Sequence, residues 1–231
     1  MPVQYWTFTE ILYKMFESFE SSYNKILTES RDGVFKVGIF PGAFKPPHMG
    51  HYATALNACQ DNDKVYIFVS KKARALTTQN ISQPGTSDCD SDRYDNFMNN
   101  DKYTSNLLSI QPAACARMTS ASALRAAISV KDKNTVFKNL PDGVDKDYIF
   151  SLLMMSNDTN NPDYGHITID QTMSIWQMYQ QLLIQQSGRS DQDIIVKISD
   201  ISPVKDTYDI VHEINNSDGA GRTSVRLYVG T

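Results

Sequence analysis

The residues with most to offer chemically lie in one short stretch, Gly38-Ile-Phe-Pro-Gly-Ala-Phe-Lys-Pro-Pro-His-Met-Gly-His51. Only 4 histidines occur in the chain, and two of them, His48 and His51, fall here. They stand three apart across a helix start, a spacing that lets both imidazoles face one phosphate. Gly42 and Gly50 let the backbone approach a ligand closely. A helix N-terminus adds free N–H groups and a partial positive charge, which suits an anion. Metal binding by His48 and His51 is the other chemistry such a pair offers, but no nearby acid or cysteine completes a ligand set, so no metal site is assigned.

A second constellation is Met118-Thr-Ser-Ala-Ser-Ala-Leu-Arg125. The hydroxyls of Ser120 and Ser122, with the first-turn N–H groups of a helix, make an anion site. Arg125 lies one turn further on, where its guanidinium can clamp the β- and γ-phosphates of a triphosphate. The segment Ser70-Lys-Lys-Ala-Arg74 either brings Lys71 or Lys72 to the same phosphates or is a solvated basic loop.

These groups need a scaffold, and the hydrophobic pattern supplies one. Val34 to Phe40 and Lys64 to Val69 are short β-branched, apolar runs that read as buried strands. A helix from about Gly50 to Gln60 lies between them, completing a βαβ unit with parallel strands. Residues 77 to 117 read mostly as polar loop, with a weak strand near Asn106 to Ile110. Helices follow at about Ser122 to Val130 and Lys146 to Met155, then a loop over Ser156 to Gly165. Met173, Trp176, Tyr179 and Leu183 give a strong amphipathic helix over Asp170 to Gln186. The remainder reads strand (Ile194 to Ile198), helix (Val204 to Asn215) and strand (Ser224 to Val229). The alternation predicts a Rossmann-like three-layer α/β sandwich around a parallel sheet. Ligands bind at the carboxyl ends of such strands, where the His48–His51 loop emerges.

Before this domain, residues 8 to 27 carry one apolar stripe from Phe8 to Leu27, with Thr7 and Glu10 as a capping box. The spacing predicts an N-terminal helix that packs as an accessory or docks a partner. The expected organisation is an extension over 1–33 and an α/β domain over 34–231.

Composition excludes several classes. With 231 residues, 41% of them hydrophobic, the chain can bury a core, which excludes wholesale disorder. The net charge of -4 argues against a protein that coats nucleic acid, while permitting a local basic pocket. No apolar run approaches the roughly 18 residues of a membrane span, and the acidic N-terminal stretch does not read as a secretory signal. Cys59, Cys89 and Cys115 are sparse and unpaired in spacing, as expected in a reducing compartment. A cytoplasmic location is expected.

The stretch Gly42-Ala-Phe-Lys-Pro-Pro-His-Met-Gly-His51 resembles the G-x-F-x-P-x-H-x-G-H signature of the HxGH nucleotidyltransferase, or cytidylyltransferase-like, superfamily, and bacteriophage-type members most of all. Met118 to Arg125 is similar to its second signature, I-S-x-T-x-x-R, with Ser120 and Ser122 at the hydroxyl positions and Arg125 at the arginine. Ser202-Pro-Val-Lys205 with Tyr208 resembles a helix start that faces the acceptor. Leu227-Tyr-Val-Gly230 resembles a strand end that reaches the nucleotide base. Asp92-Arg93 resembles an acidic-arginine loop, and Asn139 to Asp145 with the following helix resembles the C-terminal tail of phage-type members.

The resemblance implies an enzyme that joins a nucleotidyl group from ATP or CTP to a phosphate-bearing small molecule and releases pyrophosphate. His48 and His51 would donate to the α- and β-phosphates, while Arg125, Ser120 and Ser122 would hold the leaving pyrophosphate. Lys45, with Lys71 or Lys72, would bridge acceptor and α-phosphate. Gly42, Ala43, Phe44, Gly50 and Gly230 would shape the nucleotide site. Mg²⁺ would arrive on the triphosphate. Base and acceptor stay open, although the Pro-rich loop resembles that of the nicotinamide mononucleotide branch. Relatives often form dimers or larger assemblies, which implies a homo-oligomer. The alternative is a catalytically inactive interaction protein of the same fold, docked by the N-terminal helix. Leu27-Thr-Glu29 fits the Leu-x-Glu after which some capsid-packaged phage proteins are cut, so a virion location accompanies that reading. One departure stands out. Relative to the family order, the blocks at about 80–160 and 161–231 are exchanged.

Overall fold

The apolar run after Val34 forms β1, Phe35–Gly42, and the run after Asp63 forms β2, Lys64–Ser70. Val65 through Val69 are buried without a break, as a strand covered on both faces requires. The structure is a computed structural model that describes residues 34–76, 110–112, 121–217 and 222–228, with only the backbone for 110–112. The helix expected over 8 to 27, Leu27-Thr-Glu29, Asp92-Arg93 and the start of the strand expected at Asn106 lie outside these residues. The chain divides into two compact units, Met1–Phe35 and Lys36–Thr231.

Between β1 and β2 runs α1, Met49–Asp61. A two-residue strand, β3 (Arg74–Ala75), follows β2, and β4 is Ile110–Pro112. Three helices come next: α2 (Ala121–Ser129), α3 (Lys133–Lys138) and α4 (Lys146–Met154). A 3₁₀ turn at Met155–Asn157 leads to β5, His166–Ile167. The long helix α5 spans Ile169–Ser187, then β6 spans Ile194–Ser199, α6 Pro203–Asn215 and β7 Thr223–Leu227. Helix α5 starts on a Thr168/Gln171 capping box and stops at Gly188, whose φ of +70° suits a residue without Cβ.

The main sheet has the order β4-β7-β1-β2-β6. Strands β1 and β2 are parallel, from Val37 opposite Lys64 to Gly42 opposite Val69. Strands β2 and β6 are parallel from Val65 opposite Ile194 to Ser70 opposite Ser199, and β4 and β7 pair in the same sense. The Tyr228 N–H, just past β7, donates to the Ile39 carbonyl at 2.8 Å. Val65, Ile67 and Val69 join one core with Ala55, Ala58 and Cys59 of α1, Leu124 and Ile128 of α2, and Ile175, Trp176 and Tyr179 of α5. Tyr66 and Phe68 stack at 6.0 Å on the opposite face, which α6 covers. The result is a Rossmann-like three-layer sandwich around a parallel sheet.

Two features escape the hydrophobic pattern. Strands β3 and β5 pair antiparallel, Arg74 opposite Ile167 and Ala75 opposite His166, in a ribbon too short to show a period. Helix α3 presents one buried side chain, Val136, and is held by its cap: Asp132 accepts from the Thr135 N–H at 3.1 Å. Among the described residues no helix is long and apolar enough to cross a membrane.

Candidate functional site

The loop after β1 is built around Phe44. Its φ of +49° is unusual for a side chain with a Cβ, and packing on three sides holds it there. The ring meets Phe40 at 4.7 Å, His51 at 5.0 Å and Trp176 at 5.1 Å between centroids, each edge to face. Gly42 makes room for it, because a Cβ there would lie 2.6 Å from the ring. Ala43 is half-buried beside it, and Gly50 is buried in the first turn of α1.

His48 is the N-cap of α1. Its Nδ1 accepts the Gly50 N–H at 3.1 Å, and the Nδ1 of His51 accepts the His48 N–H at 3.3 Å. The two imidazoles thus form a capping box in the place of the usual hydroxyl and carboxylate. Their rings stack at 3.7 Å with planes 25° apart. With each Nδ1 accepting, each neutral ring carries its proton on Nε2 and is a donor there. Burial, helped by the Arg125 guanidinium, pulls the His48 pKa down to about 4. His48 is therefore neutral near pH 7, a hydrogen-bond donor rather than a base.

The first-turn amides expected to grip an anion are occupied. The Met49 N–H donates to the Asn139 carbonyl at 2.7 Å, and the Gly50 N–H goes to His48. Anion contacts at this helix start thus fall to the side chains.

Arg125, in α2 and only 7% exposed, reaches into the same place. Nη1 donates to the Lys45 carbonyl at 2.9 Å and Nη2 to the Ser122 hydroxyl at 3.0 Å. Lys45 is itself buried, with its ammonium donating to the carbonyls of Ser70 and Lys72, the latter at 2.5 Å. Burial and the Arg74 charge pull the Lys45 pKa down to about 8, and the same two causes lower that of Arg125. His48, His51, Lys45, Arg125 and Ser122 are thus brought together. Lys71 and Lys72 are both exposed, and Lys71 pairs with Asp200 at 3.3 Å. Ser120 and Gly230 lie outside the described residues.

The residue that sequence reading missed is Arg74. It stands in the basic run after β2, where its two neighbouring lysines drew the attention, and only the β3–β5 pairing distinguishes its position from theirs. Among the described residues no carboxylate forms an ion pair with Lys45, Arg74 or Arg125. Nor do three or more histidine, cysteine, aspartate or glutamate side chains converge as a metal ligand set. Cys59 offers no nucleophile, since burial pushes its pKa up to about 12. What the cluster can do is bind a multiply charged anion and stabilise negative charge as it develops. No protein-family model, curated protein or solved structure matched the chain in the comparisons made.

Proposed function

We propose that this chain is a nucleotidyltransferase that moves a nucleotidyl group from ATP or CTP to a phosphate-bearing small-molecule acceptor and releases pyrophosphate. One observation carries the reading: two Nε2–H donors and two buried cations, Lys45 and Arg125, converge beyond β1, and among the described residues no carboxylate pairs with either cation. Like charges buried together are mutually destabilising until an anion of several charges lies among them. A triphosphate has that charge.

The reaction asks little covalent chemistry of the protein. The acceptor phosphate attacks the α-phosphorus in line, the bond to the β-phosphate oxygen breaks, and pyrophosphate departs. The chain's contribution is orientation and neutralisation of charge. His48, neutral near pH 7, and His51 donate to the α- and β-phosphates, and Arg125 with Ser122 holds the leaving pyrophosphate. The chemistry needs no general base, because a phosphate nucleophile is already ionised at pH 7. Mg²⁺ comes with the triphosphate as part of the substrate.

Strand order also supports the reading. Taking the chain as 34–79, then 161–231, then 80–160 makes β6 the third strand, β7 the fourth and β4 the fifth. The sheet then reads 3-2-1-4-5, the arrangement of doubly wound nucleotide-binding folds. The exchange of blocks alters the connections and leaves every strand beside the same neighbours. A cytoplasmic enzyme, acting as a homo-oligomer, fits this reading.

The test is pyrophosphate release, screened over ATP and CTP against phosphate-bearing acceptors that include nicotinamide mononucleotide. Release that depends on both nucleotide and acceptor is expected; a panel without any such dependence refutes the proposal.

A further inference from the structure

We propose that Arg74 is a third cation of the anion site, reaching the distal phosphates of a bound triphosphate, and that Lys45 is the positioning residue that holds it there. The inference deepens the reading of the site as one for a polyphosphate and rests on it. It begins with where the Lys45 side chain goes. The ammonium does not project into the site as a free charge. It is gripped by two main-chain carbonyls, those of Ser70 and Lys72, at the end of β2. Lys72 is two residues from Arg74, so Lys45 fixes the backbone from which Arg74 springs. On the far side the same segment is tied down again. Arg74 and Ala75 pair with Ile167 and His166, and the Leu76 N–H donates to the Gly165 carbonyl at 2.7 Å. Held at both ends, the segment has little freedom to carry Arg74 away.

The other end of Lys45 meets the second cation. Its carbonyl accepts from Arg125, so one residue joins the Arg125 guanidinium to the Arg74 strand. The Arg74 charge bears on both Lys45 and Arg125, lowering the pKa of each. Arg74 itself is exposed and, among the described residues, has no carboxylate partner. Lys71, by contrast, is engaged with Asp200. An exposed guanidinium beside two buried cations, without a counter-charge among the described residues, is suited to meet the part of a polyanion that projects toward solvent.

The experiment measures binding of inorganic tripolyphosphate by calorimetry to the full chain, with no nucleotide or acceptor present. Wild type, Arg74→Ala, Lys45→Met and the double variant are compared, with Lys146→Ala as a control for net charge. Lys146 is on α4 and pairs with Asp142 at 2.7 Å. Arg74→Ala is expected to weaken binding by about 10- to 100-fold, the range for a lost charge-assisted contact, while Lys146→Ala matches wild type. If Lys45 acts by positioning Arg74, the double variant binds no more than about 3-fold worse than the weaker single variant. Should Lys45→Met not fold, Lys45→Arg replaces it, keeping the charge while disturbing the grip on the two carbonyls. Arg74→Ala binding as tightly as wild type overturns the proposal and leaves the polyphosphate reading standing. Losses that multiply in the double variant overturn the positioning role of Lys45. No binding by wild type overturns the polyphosphate reading, and this proposal with it.

Discussion

The guanidinium of Arg125 donates to the main-chain carbonyl of Lys45 across 80 positions of sequence. This contact joins the two motifs from which the site is built, and it is made to backbone, so it depends on the shape of the Lys45 turn rather than on the Lys45 side chain. A guanidinium can bond Lys45 and Ser122 at once because its donors fan out in a plane, which an ammonium cannot copy. Arg125→Lys is therefore expected to lower tripolyphosphate affinity by about 10-fold, for about 1.4 kcal/mol. Arg125→Ala should also raise the His48 pKa, since the Arg125 charge is the second cause of its depression after burial. Calorimetry checks the first result and a proton NMR titration of the His48 ring the second; an unmoved His48 pKa contradicts the proximity of the two groups.

Acid should weaken the fold through His48. Its pKa is about 4 in the folded chain against 6.5 in the unfolded one, so between these values the unfolded chain binds more protons. Stability from this source is complete above pH 6.5 and falls as the pH drops, by about 3 kcal/mol at pH 4. His48→Asn keeps a side chain able to cap α1 but removes the titration. Urea unfolding across pH 4 to 7 should show a shallower loss in the variant, and equal slopes would contradict the assignment.

His51→Ala is expected to reduce pyrophosphate release by about 10² to 10³, the usual effect of deleting one donor to developing charge. It should also cost about 1 kcal/mol of stability, because its Nδ1 caps the His48 N–H and the ring packs against Phe44. A thermal melt beside the activity assay separates the two effects. Full activity in a folded His51→Ala protein would refute the role given to this imidazole.

Gly42→Ala tests the packing behind the histidines. The new methyl would sit 2.6 Å from the Phe44 ring, which must move and release its edge contact with His51. Such crowding costs about 1 to 3 kcal/mol. A lower melting temperature together with weaker tripolyphosphate binding is expected; unchanged binding would mean that Phe44 does not set the position of His51.

The long-period features were legible in the chain. Val34 to Phe40, the Trp176 helix and the strand at Ile194 each carry an apolar pattern that only one element satisfies, and each formed where that pattern put it. Local spacing likewise marked His48, His51 and Arg125. Arg74 was not legible, because its position depends on pairing with Ile167, and a two-residue ribbon leaves no period. The occupied amides of α1 were hidden for a related reason: the Asn139 carbonyl that takes the Met49 N–H comes from a distant turn. Nor does composition reveal that the Lys45 ammonium would turn to main-chain carbonyls.

The position of β7 has a consequence for synthesis. This strand lies between β4 and β1, yet among the described strands it comes last in chain order. Until β7 joins the sheet, β1 has one bare edge and β4 has no neighbour among the described strands. Unpaired edges of this kind invite association with other chains. A released chain truncated before Thr223 should accordingly be captured by holdase chaperones, and one that includes Leu227 should not.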